Sequence, residues 1–92
     1  LKNAFISKTK IQIEYWGMRI KMIRTLHQNH SGSKATLDGM IDSWNAQLLA
    51  LHAGLDNLRT SDGDDFETSK MYLQSLLDNL SDSVTSFEMS QA

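Results

Sequence analysis

The 92-residue chain contains no cysteine and no proline, and only five glycines. Without cysteine there is no disulfide framework and no thiol nucleophile, while the compartment stays open. Without proline, and with so little glycine, few positions can stop a helix. No apolar run approaches the roughly 20 residues of a membrane-spanning helix. Catalytic signatures are missing too: there is no glycine-rich nucleophile elbow, phosphate loop or paired-carboxylate helix motif. An enzyme is therefore not expected, nor is a cofactor. The chain begins at Leu1 rather than Met, which reads as processing or as a piece of a longer protein. The chain reads as soluble, since 40% of the residues are apolar and the charge is mixed, and its localisation stays open with the cytoplasm favoured.

What is present is helical periodicity interrupted twice. Asn29-His30-Ser31-Gly32-Ser33 offers a glycine suited to a helix end and a serine suited to capping the next helix. Arg59-Thr60-Ser61-Asp62-Gly63-Asp64 is the second break, and Asp64 followed by Glu67 has capping-box spacing. These breaks predict helices over about 4–29, 33–59 and 64–89 in a single domain, 1–92. Gly17, Gly39 and Gly54 fall inside helices, each at a propensity cost of about 1 kcal/mol against alanine.

Each helix carries a heptad seam. The second has Leu37, Ile41, Trp44, Leu48, Leu51, Leu55 and Leu58, spaced alternately four and three apart. The third has Phe66, Leu73, Leu77, Leu80, Val84 and Phe87, with Lys70 as its one polar position, near the chain reversal where its head can extend to water. The first has Ile6, Thr9, Ile13, Trp16, Ile20, Ile23 and His27. Three seams of equal length joined by short breaks predict an all-α, antiparallel up-down-up three-helix bundle, open to assembly into a larger helical oligomer. Folding about the breaks puts Trp16 near position 47 and Trp44 near position 19, in adjacent central layers.

Charge is divided unevenly. Residues 1–30 hold six basic groups and one acid, Glu14, whereas residues 31–92 hold three basic groups and ten acids. The reading preferred here is internal: a basic helix whose charge is answered by two acidic ones. A nucleic-acid interface is not expected on this layout, because the lysines and arginines of the first helix point to differing sides.

The seams leave one feature unexplained. Ile11, Tyr15, Met18 and Met22 form a second row on the first helix, and Met18 lies about 200° round from Trp16 at about 100° per residue. Lys8, Lys21 and Arg19 flank it. Four large apolar side chains in a line make a patch that a partner should cover. Met71, Tyr72 and Leu49 are also expected on outer faces but form no row.

Other chemistry is thinner. His27 and His30 have the spacing of two metal ligands, but the expected register puts His52 about 24 Å along the axis from His27. No three-histidine site assembles, and no metal is assigned. Asp62, Asp64, Asp65 and Glu67 resemble the start of a calcium loop, yet Phe66 stands where an oxygen ligand belongs. Asn29-His30-Ser31 and Asn79-Leu80-Ser81 match the glycosylation tripeptide, a pattern easily met by chance.

Trp16 followed by Ile20 and Ile23, the ladder Leu37, Ile41, Leu55 and Leu58, and Gly63-Asp64-x-Phe66 with Lys70 following resemble a group of small bacterial helical proteins. These are described as coiled-coil, apolipoprotein-like or stress-response proteins, and the similarity spans about positions 12–80. The resemblance implies a helical bundle and no catalytic residues. The expected function is a non-enzymatic interaction module that self-associates or binds a partner helix through Ile11, Tyr15, Met18 and Met22. The alternatives are a peripheral membrane or anionic-surface binder using the same row, and a secretion-apparatus subunit or small chaperone.

Overall fold

The computed structural model describes residues 2–27 and 34–90. Three helices make up nearly all of them: α1 (Lys2–His27), α2 (Lys34–Arg59) and α3 (Gly63–Ser90), with no strand among the described residues. The first predicted break lies outside the described residues, together with His30 and the Asn29 tripeptide. The three helices pack side by side into a rod with principal extents of 50 × 18 × 18 Å.

The second break shows how one helix ends and the next begins. The backbone N–H groups of Thr60 and Ser61 donate to the carbonyls of Asn57 (3.3 Å) and Leu58 (3.2 Å). Both hydroxyls add bonds to the Asn57 carbonyl, at 3.1 and 2.8 Å. Carbonyls that the end of α2 would leave open are thereby satisfied. Gly63 then adopts a φ of +59°, a left-handed conformation that glycine enters without a steric penalty. The Asp62 carbonyl accepts the Phe66 N–H at 3.4 Å, so α3 begins at Gly63, one residue ahead of the expected start. Asp64 and Asp65 occupy the first turn, where negative charge suits the helix dipole.

The closed centre of the core is built from seam positions, with Phe5, Met40 and Leu76 packed at its margin. Its fully buried apolar residues are Ile13, Ile20 and Ile23 of α1, Leu37, Ile41, Trp44, Leu51, Leu55 and Leu58 of α2, and Leu73, Leu80 and Val84 of α3. The remaining seam residues, among them Ile6, Trp16, Leu48, Phe66, Leu77 and Phe87, are half-buried around them. Each buried Leu, Ile or Val contributes about 1.5–3 kcal/mol relative to exposure. α2 packs extensively on both neighbours, whereas α1 and α3 touch each other only thinly.

Trp44 anchors the middle. It is 1% exposed, its Nε1–H donates to Ser83 Oγ at 2.9 Å, and its ring meets Phe87 edge-on at 5.7 Å. That hydroxyl gives the buried indole the partner it needs. Trp16, expected as ordinary core, is only half-buried and meets Tyr15 at 5.1 Å. It sits at the edge of the inward face of α1, so one side of its ring stays outside the bundle.

Contacts at both ends tie α1 to α3. Phe5 meets Phe66 edge-on at 6.4 Å, and His27 meets Phe87 in the same manner at 5.7 Å. Lys2 donates to the Ser61 carbonyl at 2.5 Å and lies 3.6 Å from the Asp62 carboxylate. Where α2 meets its neighbours, a β-carbon placed at residue 17 would lie 3.9 Å from Leu48 Cδ1, an ordinary contact, and one at residue 54 only 3.0 Å from Leu73 Cδ1. Gly54 thus lets α3 approach more closely than a side chain would allow.

Candidate functional site

Residues four and three apart return to the same face of a helix, and in α1 two such sets run along opposite faces. One set is the seam. The other is Ile11, Tyr15, Met18 and Met22, exposed by 67%, 47%, 65% and 58%. The structure extends this row by one turn. Leu26, four residues beyond Met22, is equally open, and a shallow groove of about 330 Å³ is lined by Met18, Lys21, Met22, Thr25 and Leu26. The signal for Leu26 was its spacing, masked by its place next to the seam residue His27 at the helix end.

Tyr15 is the least open member because Arg19 holds it. Arg19 Nη1 donates to the Tyr15 hydroxyl at 2.5 Å, and the guanidinium lies 5.6 Å from the Tyr15 ring centre and 5.7 Å from that of Trp16. Its other arm, Nη2, donates to Glu88 Oε1 on α3. The hydrogen bond to Glu88, followed by that to Tyr15, raises the guanidinium's pKa further above its ordinary value. Arg19 flanks the row, as its spacing implies, and its charge is answered from α3 by Glu88.

The other basic groups behave differently. Among the described residues the ion pairs are Lys2 with Asp62, Arg19 with Glu88, and Arg59 with Asp56 inside α2. Lys8, Lys10, Lys21 and Arg24 form none, which corrects the expectation that the acidic helices answer most of the charge of α1. Their positions explain it: all four are exposed on α1. The row is therefore edged by Lys8 on one side and by Glu14, Lys21 and Lys10 on the other, taking about 100° per residue.

A second concavity lies where α1 and α3 touch thinly. This cleft of about 460 Å³ is lined by Phe5, Lys8, Thr9, Gln12, Lys70, Gln74, Leu77 and Asp78. Its lining includes a polar seam position from each helix, Thr9 on α1 and Lys70 on α3. Thr9 is 3% exposed, and the Lys70 ammonium lies 5.0 Å above the Phe5 ring as a cation–π contact. Leu49, Met71, Tyr72 and Met89 are exposed apolar residues elsewhere, none of them in a row.

No group of three or more His, Asp or Glu side chains placed to hold a metal ion occurs among the described residues. His27 packs on Phe87 and His52 is exposed, while the proposed companion of His27, His30, lies outside the described residues. No described helix is long and apolar enough to cross a membrane. No family model, curated protein or solved structure matches the chain.

Proposed function

We propose that this chain is a non-enzymatic helical interaction module whose working surface is the outer row of α1, used to self-associate or to bind a partner helix. The observation that carries it is the continuous exposure of Ile11, Tyr15, Met18, Met22 and Leu26 along one face, with a groove at its C-terminal half. Scattered exposed apolar side chains are ordinary, but an aligned row is a patch of the kind partners cover. Covering such side chains stabilises a complex by about 1.5–3 kcal/mol each, against association costs of about 4–15 kcal/mol. The expected result is a reversible complex rather than a permanent one.

The arrangement behind this surface is up-down-up, with α1 and α3 parallel and α2 reversed between them. The Phe5–Phe66 contact at one end and the His27–Phe87 contact at the other support it, as does the seating of Gly17 by Leu48. The test is sedimentation velocity over a wide concentration range. Mass should rise with concentration, and Met18→Glu should abolish the rise while leaving helicity unchanged. For the partner-helix form, binding of an amphipathic helix should be lost in the same variant.

A second reading is favoured by the unpaired lysines along the row: an interfacial helix at an anionic lipid surface. Ten acids in the rest of the chain oppose it. Co-sedimentation with vesicles containing anionic lipid discriminates the two, since the lipid reading requires binding that weakens with salt.

A further inference from the structure

Resting on the row as the working surface, we infer that its occupant is a second copy of the same chain, in a two-fold contact between α1 and antiparallel α1 with Glu14 of each copy facing Lys21 of the other. The first ground is the spacing. Ile11, Tyr15, Met18 and Met22 are separated by four, three and four residues, a pattern that reads the same in both directions. Turned about an axis between Tyr15 and Met18, the row meets itself: Ile11 opposes Met22 of the second copy, and Tyr15 opposes its Met18. Self-complementarity of this kind is what a two-fold interface requires.

Shape agrees with that register. The groove between Met18, Met22 and Leu26 receives Ile11 of the second copy, and the small Ser7 falls opposite Leu26. Each copy thus supplies both the ridge and the hollow.

Charge is the second ground. In a two-fold antiparallel pair, like edges of the helix face each other, so the edge bearing Glu14 and Lys21 meets its own copy reversed. Glu14 then lies within about 3 Å along the axis of Lys21 of the second copy at about 1.5 Å per residue, and the pair forms twice. Lys10 is equally level with Lys21 of the second copy on the same edge, but lies about 40° further round from the row than Glu14, so its long side chain turns to water and leaves Glu14 as the nearer neighbour. On the other edge, the residue nearest the axis is Arg19, which would face its own copy. Its charge is already answered by Glu88 and its fork is occupied by Tyr15, so the symmetric approach is not opposed by two bare guanidinium groups.

The test is a charge swap read by sedimentation equilibrium at low salt. Glu14→Lys and Lys21→Glu should each weaken self-association by about ten-fold or more, since two attractions become two repulsions. An equimolar mixture of the two variants should recover association near that of the unmodified chain, because each mixed pair restores both contacts. Circular dichroism of each variant shows whether its helices are intact, and the mixture shows it again. If the chain associates, Met18→Glu disrupts it and the swaps do nothing, this register is overturned while the row stands. If Met18→Glu also does nothing, the row itself fails as the working surface. A chain that stays monomeric at millimolar concentration overturns the second copy as occupant, and leaves the partner helix to be tested by binding.

Discussion

Ile11 and Ile13 are the same residue two positions apart on one helix, yet Ile11 is 67% exposed and Ile13 is 1% exposed. Both belong to rows spaced by fours and threes, and nothing in either row's local chemistry announces which will be covered. The difference is that α2 and α3 supply a surface for one face and nothing within the chain supplies one for the other. An apolar stripe therefore says that a helix wants a neighbour, and only packing says whether the neighbour is internal.

That contrast can be broken by substitution. The largest effect is expected at Ile13→Ala, which should lower unfolding stability by about 2–5 kcal/mol by opening a cavity in a core with no spare surface. Denaturant melts at low protein concentration measure it. A loss below 1 kcal/mol would mean that this face of α1 is not held as described.

Glycine offers a finer comparison of an open and a closed site. A β-carbon at residue 39 meets nothing within 4 Å, so Gly39→Ala should stabilise by about 0.5–1 kcal/mol through helix propensity. Gly54→Ala gains the same propensity but presses on the buried Leu73 Cδ1, and should gain clearly less or lose stability. Equal thermal shifts for the two variants would show that α2 and α3 can move apart freely at that layer.

Smaller still is Glu88→Gln. The Arg19 and Glu88 side chains are 34% and 31% exposed, so solvent screens the pair and the loss should stay under about 1 kcal/mol. Its sharper readout is Tyr15, whose ring should become more mobile and more accessible to quenchers once the guanidinium loses its α3 anchor. The smallest effect is Ile11→Ala, within about ±0.5 kcal/mol for the dilute protein, because it empties no cavity. At concentrations where the chain associates, the same substitution should lower stability, since association and folding are linked by mass action. Ile11 would then match Ile13 in kind, with the second surface coming from outside.

The buried core was legible in the residues: every fully buried apolar side chain is a seam position, because burial of one helical face imposes a period that the order of residues reveals. The outer row was legible for the same reason, except Leu26. Less legible were the long polar side chains. Arg19 flanks the row and also reaches Glu88, a partner that spacing does not name, and the Lys70 head lies over Phe5 at the open cleft. Flexible side chains of this length can reach any of several partners, and which one they take depends on the distance between helices rather than on sequence spacing.

The order of residues by itself determined that three helices form, where the second break falls, and which face of each is apolar, because these follow from backbone propensity and the 3.6-residue period. Only the tertiary structure decided how deeply each seam position of α1 is covered, with Ile13 closed and Trp16 left half-buried. It also decided that Tyr15 is pinned, that Lys8, Lys10 and Lys21 form no ion pair among the described residues, and that α1 and α3 part to leave a polar cleft between them. Those outcomes depend on the separation and rotation of whole helices, which the shared core sets for all three at once.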